Sequence, residues 1–509
     1  MRTIELWLIC TIAVFVVLLF VPAKRRYRWM HLLPFFSIAL VIFHLLIEGY
    51  RWQMVAAYFL SFLLALFTLT NVRRSILSSE QSMLIDRKWL RIPGAITSCL
   101  LLLIATALPI LFPHLWLPEP SGPYSIGTRN LYFIDTDRSE TFTPDPNDHR
   151  EVCARVWYPA ESPAGRKPIS YVENAKERGR ILTCHTSFPS FIFYHLSLVE
   201  THSYRDAEML EGQQRFPIVI FSHAYWGGIL QNTVLMEELA SHGYVAVSIG
   251  HAYETPYFIE TDGTLRAFDP FNKEYQLRST ERKAAKHIEQ KIVQTQDRQE
   301  LELLFRAICA QRPKSIESVR IWADDISFTI DELEKMNSEN GLFAGRLDTD
   351  RIGVIGHSMG GTASGQACLT DKRCKAGINM DGIQLGEMIE RSLSRPFMFM
   401  HHDNVGARNK MLNRTFFERS EEPAYLVLIR GTRHMNFSDF SLHGYGSIAR
   451  LSGVIGKIDG KRCMRILSDY VLAFFNKHLK GQDSGLLNGS SSEYPEVEIH
   501  IRKGQIFRS

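Results

Sequence analysis

Cysteine is scarce in this chain, and charge of one sign is not in excess. The eight cysteines among 509 residues fit no zinc-ligand spacing. Cys10 and Cys99 lie inside apolar runs. Of Cys153, Cys184, Cys309, Cys368, Cys374 and Cys463, the pair Cys368 and Cys374 is the first to consider for a disulfide if the surroundings are oxidising. Burial as free thiols is the alternative. Lys and Arg total 58 against 54 Asp and Glu, so the basic excess that nucleic-acid binding demands is missing. That near balance conceals an asymmetry. Apolar residues crowd the first part of the chain, and most acidic residues come later.

Four apolar runs fall within residues 1–117, at about 4–21, 32–47, 52–70 and 96–116. Each approaches the ~20 residues that cross a hydrocarbon core as a helix. The second is short and has His31, His44 and Glu48 near its ends. Buried hairpins of a water-soluble domain are the bland alternative, but these runs have no polar face for water. A cleaved signal peptide is the alternative for the first run, but its apolar stretch is longer than usual for one, only Arg2 precedes it and the basic cluster follows it, which favours a retained span. Few ionisable residues lie mid-span, which argues against a translocation path. The predicted module is therefore an integral, multi-pass membrane domain of four transmembrane helices.

Orientation follows from Lys and Arg in the short loops. One loop holds Lys24, Arg25, Arg26 and Arg28, and another holds Arg73, Arg74, Arg87, Lys88 and Arg91. The loop between the second and third runs has only Arg51. Both basic loops are expected on the cytoplasmic side of the cell membrane. Both termini, and everything after the fourth span, are then extracytoplasmic. The proline-rich stretch around 118–124 reads as an extended linker.

From 125 to 509, short β-type runs alternate with helical stretches. Strands are expected at 152–158, 216–221, 244–249, 351–356, 376–380, 396–401 and 425–429. Helices are expected at 321–336 and 465–479, the latter closing the domain. This order implies an α/β fold with a mostly parallel sheet and helices on both faces. Two stretches, 161–212 and 252–318, are long for loops. The second is rich in charge and should be largely helical. Both read as lids over a site or as peripheral decorations.

Residues 352–361, IGVIGHSMGG, are the most informative string. Gly356-His357-Ser358-Met359-Gly360 is a G-x-S-x-G elbow directly after a β-run and directly before the small-residue stretch Thr362-Ala363-Ser364-Gly365. The elbow holds its serine on a strained strand-to-helix turn, and glycines at 356 and 360 leave room for the flanking elements. The helix N-terminus then faces the place where negative charge develops.

Serine needs a base, and in this elbow's fold, the α/β-hydrolase fold, the order is serine, acid, histidine. The downstream histidines are His401, His402, His434, His443, His478 and His500. His434 follows the last predicted strand of the run and is the expected base. Asp381 and Asp403 each follow a predicted strand, and pattern alone does not choose between them. Oxyanion donors are expected from the backbone N–H of Met359 and from the loop after 216–221, with Tyr225 as the candidate. Pocket lining is the ordinary alternative for Tyr225 and Trp226.

The strings FSHAYWGG, LASHGYVAVSIGH, GHSMGG, INMDG and IRGTRHMNFSDF resemble the platelet-activating factor acetylhydrolases, which include the lipoprotein-associated phospholipase A2 type and bacterial relatives. The resemblance spans roughly 122–480 and leaves out the apolar module. It implies a calcium-independent hydrolase that removes short or oxidised acyl chains from phospholipids. It also implies Asp381 as the acid and the backbones of Tyr225 and Met359 as oxyanion donors. The chain departs from the family at Ala224, where glycine is usual, at Tyr225, where a small or aliphatic residue is usual, and at Met359, where phenylalanine is common. These departures touch the acyl pocket, and hence substrate preference.

The expected activity is ester hydrolysis through an acyl-enzyme on Ser358, with no metal or organic cofactor. The expected partners are the membrane and an amphiphilic ester or phospholipid. The rival readings are a broad short-chain carboxylesterase, an enzyme like the dienelactone or polyester hydrolases, and a catalytically silent membrane sensor or scaffold.

Overall fold

The computed structural model describes residues 1–21, 28–77, 88–183, 189–212, 215–260, 264–269, 272–295, 297–403, 407–442 and 446–503. The basic residues Lys24, Arg25, Arg26 and Arg87, together with Cys184 and His443, lie outside the described residues. The chain divides into two compact units. One comprises residues 1–116 with 170–200, and the other comprises 117–169 with 201–509.

The first unit has an apolar helix at each of the four expected runs: Thr3–Leu19, Leu33–Phe43, Val55–Leu77 and Lys88–Leu111. By length and hydropathy, three stretches are sufficient to cross a membrane: Trp29–Glu48, Trp52–Arg73 and Pro93–Leu111. The second run, short in sequence, is thus long enough as a helix. A 3₁₀ turn before it and a π-helical turn at His44–Glu48 extend it. Thr3–Leu19, at 17 residues, is the short one. The fourth helix stops at Leu111 rather than near 116, just before Pro113.

Several ionisable residues of the N-terminal helices meet near helix ends. Arg51 Nη1 donates to Glu5 Oε1 at 2.5 Å and Arg51 Nη2 to the Phe112 carbonyl at 2.6 Å. His44 Nδ1 lies 2.8 Å from the Tyr58 hydroxyl. Arg51 thus links the start of the first helix to the end of the fourth, and His44 links the end of the second run to the third helix.

Segment 170–200, the middle of the first long insertion, belongs to this unit. Trp52 Nε1 donates to the Ile192 carbonyl at 3.3 Å, and the Trp52 and Phe191 rings meet edge-on at 5.3 Å. Segment 170–200 thus packs with the N-terminal helices, apart from the rest of 161–212.

The second unit is built on a sheet whose strands, in chain order, are β1 (Ser125–Ser139), β2 (His149–Ala160), β3 (Ser203–Arg205), β4 (Phe216–Ser222) and β5 (Val245–His251). A small hairpin, β6 (Tyr257–Ile259) and β7 (Leu265–Ala267), follows. The sheet resumes with β8 (Leu347–His357), β9 (Cys374–Met380), β10 (Phe397–His402), β11 (Ala424–Ile429) and β12 (Val497–Arg502). Among the described residues it has ten strands in the order β12-β11-β10-β9-β8-β4-β5-β2-β1-β3.

From β5 through β4, β8, β9 and β10 to β11 all neighbours are parallel. Every residue of β4 and of β5 is buried, as helices on both faces require. The antiparallel pairings β1–β2, β2–β5 and β11–β12 lie toward the ends. Strands β1, β3 and β12 were not foreseen from sequence. All three flank the parallel core, where pairing rather than a continuous apolar run defines the strand.

Helix Pro313–Ser338 opens on proline and buries Ile316, Val319, Trp322, Ala323, Ile326, Ile330 and Leu333, the three-four spacing of one helical face. Helix Gly460–Leu479 closes the domain. Its N-cap Asp459 accepts from Arg462 N at 3.0 Å. The proline-rich stretch is no free spacer: Ser121 N donates to Glu238 Oε2 at 2.9 Å and Gly122 N to Ser241 Oγ at 3.1 Å. The extended backbone offers N–H groups that helix Thr233–Ser241 takes up. Cys368 and Cys374 are joined in a disulfide.

One buried ionic network ties the sheet to the long helix. Asp325, fully buried, accepts from Arg150 Nε at 3.0 Å and Nη2 at 2.7 Å, and from Arg138 Nη2 at 2.9 Å. His251 Nδ1 lies 2.8 Å from the same carboxylate. Burial would raise the Asp325 carboxyl, but the Arg150 charge and these hydrogen bonds hold it well below the usual carboxylate range. Removing one member leaves the others charged and buried, so Asp325→Ala should cost about 3–5 kcal/mol. Urea denaturation of the full-length protein in detergent measures it, and a loss under 1 kcal/mol would contradict the network's role.

Candidate active site

Ser358 follows β8 directly and caps helix Met359–Thr370. Its φ of 56° is the left-handed region that side-chain-bearing residues avoid. Space for this turn comes from the two elbow glycines. A Cβ on Gly356 would stand 2.2 Å from the Gly360 carbonyl, and one on Gly360 would stand 2.1 Å from the Ser222 carbonyl oxygen. Ser358 N donates to the Met380 carbonyl at 2.8 Å, which fixes the turn against β9.

Asp381 is the first residue after β9 and has φ 58°. Its N–H donates to the Met400 carbonyl at 2.9 Å. His434 opens a 3₁₀ turn after β11. Its Nδ1 lies 2.6 Å from Asp381 Oδ2. The carboxylate is wholly buried, whereas the imidazole is 42% exposed. Burial would raise the Asp381 carboxyl, but hydrogen bonds from His402 and His434 outweigh it and hold the group well below the usual carboxylate range. Asp403, the alternative acid, is engaged elsewhere: its Oδ2 accepts from Gly431 N at 2.9 Å.

Ser358, Asp381 and His434 line one cavity of about 310 Å³ together with Met359, Tyr225 and Thr362. Its far wall comes from the second long insertion and the helix after it, through Tyr275, Arg278, Arg282, Arg312 and Ser315. That insertion is helical at Lys273–Ala284, Lys286–Gln294 and Arg298–Ala310. The Tyr225 hydroxyl accepts from Arg278 Nη2 at 2.9 Å, and its ring stacks on Tyr275 at 5.7 Å. Residues expected to act together from four separate stretches of sequence thus meet at one cavity, at the carboxyl ends of parallel strands.

His357, the variable residue inside the elbow, has a part that the motif did not reveal. Its Nε2 lies 3.1 Å from the His434 carbonyl, which can only accept, so Nε2 carries the proton. Its Nδ1 then accepts from Gln231 Nε2 at 2.8 Å, and Gln231 Oε1 accepts from Ala224 N at 2.9 Å. This chain of bonds connects the Tyr225 loop to the His434 loop. Burial pushes the His357 imidazole down to about 3, which keeps it neutral.

A second Ser-His-Asp set was also missed. Ser222 Oγ lies 2.9 Å from His251 Nε2, and His251 Nδ1 lies 2.8 Å from Asp325. All three side chains are buried and belong to the network behind the site, so no substrate reaches them. The other sequence candidates lie apart: His401 is buried inside β10, His478 touches Tyr425, and His500 is on β12. Asp381, His402 and His434 each place a donor atom within 4.8 Å of the others, as do Glu5, His44 and Glu48. Hydrogen bonds and ion pairs already link both groups.

The arrangement matches known proteins over most of its length. A ferulic acid esterase from Streptomyces cinnamoneus has a similar fold, with a TM-score of 0.58 and 23% identity over 76% of this chain and 99% of that one. A platelet-activating factor acetylhydrolase of Cavia porcellus is 23% identical, over 72% of this chain and 79% of its own length. A probable 1-alkyl-2-acetylglycerophosphocholine esterase of Arthroderma benhamiae is 33% identical, over 77% of this chain and 95% of its own. The family model for platelet-activating factor acetylhydrolase, isoform II, matches residues 110–491. With that match across the sheet, the elbow and the His434 loop, the chain belongs to the platelet-activating factor acetylhydrolase isoform II family.

Proposed function

We propose that this protein is a membrane-anchored, calcium-independent serine hydrolase that removes short or oxidised acyl chains from phospholipids. The observation that carries the reading is the 2.6 Å His434–Asp381 hydrogen bond at the cavity that Ser358 lines. The related proteins named as acting on platelet-activating factor and on 1-alkyl-2-acetylglycerophosphocholine support the substrate class.

In this reading the ionised Asp381 carboxylate accepts a hydrogen bond from His434 Nδ1–H and holds the ring in that tautomer. Nε2 is then left as the base toward the Ser358 hydroxyl. Ser358 attacks the ester carbonyl as His434 takes its proton. The backbone N–H groups of Met359 and Tyr225 receive the oxyanion. His434 protonates the leaving alcohol. Water then repeats the sequence on the acyl-enzyme and releases the acid. The mixed wall of tyrosine rings and arginines suits an ester with both an apolar chain and an anionic head.

The N-terminal helices serve as the anchor, with Thr3–Leu19 as a fourth span beside the three longer stretches. The basic loops lie in the cytoplasm, so the hydrolase unit is outside. The Cys368–Cys374 bond supports this side, because disulfides persist in oxidising compartments. Anchoring keeps the cavity beside its lipid substrate.

Wild type in detergent should be labelled by a fluorescent fluorophosphonate, and Ser358→Ala should lose both labelling and turnover, the latter by a factor on the order of 10⁶. Equal labelling of the two would remove Ser358 from the mechanism. Across phospholipids with sn-2 chains from acetyl to palmitoyl, kcat/KM should fall at least about tenfold, equivalent to about 1.4 kcal/mol of transition-state binding. Turnover of p-nitrophenyl acetate with none of phospholipid would establish the short-chain carboxylesterase instead. A phosphatase fused after residue 120 should be active in intact cells, and a silent fusion would reverse the orientation.

A further inference from the structure

We infer that His402 is a positioning residue that holds the Asp381 carboxylate and restrains the basicity of His434, a role that rests on the proposed serine-hydrolase reading. His402 ends β10, beside the turn that carries Asp381. Its Nδ1 lies 2.8 Å from Asp381 Oδ1 and 2.7 Å from Oδ2, and its backbone N–H donates to Oδ1 at 3.1 Å. An ionised carboxylate only accepts, so His402 carries its proton on Nδ1. The same argument places a proton on His434 Nδ1, 2.6 Å from Oδ2. One buried carboxylate therefore receives three N–H donors, two of them imidazoles that approach with their ring planes 70° apart.

Two consequences follow. First, His402 spans both carboxylate oxygens and fixes the plane of the group, so that Oδ2 stays aimed at His434. This matters because, without the imidazole, only the His402 backbone N–H on Oδ1 and the single bond from His434 on Oδ2 hold the group. Second, His402 competes with His434 for the same negative charge. A neutral donor draws charge density from the carboxylate, and a protonated His402 would do so more strongly. In either state its removal lets Asp381 hold the His434 proton more tightly.

The other groups facing this pair do not replace it. His357 meets His434 ring to ring at 4.6 Å, but its polar atoms are bound to the His434 carbonyl and to Gln231. Asp403 is held by Gly431 N. Arg433 is next in the chain, and its guanidinium lies by Gly453. His402 was weighed in the sequence only as a rival base. Its actual contact is with the acid.

The test compares full-length wild type, His402→Ala and His402→Asn in detergent, with a short-chain ester across pH and with thermal melts as a folding control. His402→Ala should lower kcat about 10- to 100-fold, the loss of one hydrogen bond to a charged group, with KM changed far less. The acid limb of its kcat/KM profile should move to higher pH. Asparagine restores an N–H donor, so His402→Asn should recover most of kcat and return the limb toward its wild-type position. An unmoved limb in His402→Ala, or no rescue by asparagine in a folded protein, overturns the inference. A second readout needs no turnover: the low-field proton resonance of the His434–Asp381 hydrogen bond should shift in His402→Ala. If wild type hydrolyses no ester, the proposed function fails. The resonance still decides the role of His402, and an unshifted signal overturns it.

Discussion

The backbone at Ser358 occupies a conformation that a side-chain-bearing residue avoids, and the surrounding architecture is organised to hold it there. The turn stands between the end of β8 and the start of helix Met359–Thr370. It is closed from one side by Gly356 against Gly360 and from the other by Gly360 against the end of β4. β8 lies between β4 and β9 in the middle of the sheet, so the turn is held by a strand on either side. Strain of this kind persists only where the rest of the fold overdetermines it. The central parallel strands, buried throughout in β4 and at the carboxyl ends of β8 and β9, supply that determination. Their carboxyl ends bring the Tyr225 loop, Ser358, Asp381 and the His434 loop to one cavity.

The two Ser-His-Asp sets in this chain differ in access rather than in hydrogen-bond distance. Ser222, His251 and Asp325 have good hydrogen-bond distances, and Asp325 is strongly stabilised as an anion. Yet every member is buried, and the arginines on Asp325 make it an anchor between sheet and helix. At Asp381 the carboxylate is equally buried, but its partner His434 is 42% exposed at the mouth of the cavity. Hydrogen-bond geometry alone does not identify an active site. Access for a reacting carbonyl does, together with an imidazole nitrogen that has no other duty. The bonds from Ala224 through Gln231 and His357 to the His434 carbonyl then make the position of the His434 loop depend on the Tyr225 loop.

Much of this was legible in sequence because it is local. The elbow is five consecutive residues with a strand before and a helix after, and the buried strands are continuous apolar runs. The choice between Asp381 and Asp403 was not local. Both follow adjacent strands, and only the register of β9 against β10 turns one toward His434 and the other toward Gly431. His402 escaped for the same reason, since its partner lies 21 residues away across a strand pair. Strands β1, β3 and β12 owe their existence to pairing. Segment 170–200 looked like part of a lid, but its apolar residues found the N-terminal helices. That preference for a partner is invisible in composition. The second apolar run gained its length from 3₁₀ and π turns, which a count of apolar residues does not register.

The central claim is that chemistry passes through a covalent ester on Ser358. Rapid acid quenching of the full-length protein during turnover of an acetyl ester, followed by peptide mass spectrometry, tests it most directly. The account predicts an acetyl group on the peptide that carries Ser358, accumulating within the first turnover and absent from the peptide that carries Ser222. Sustained hydrolysis with no acyl peptide at any quench time, or an acetyl group fixed to another residue, would contradict it.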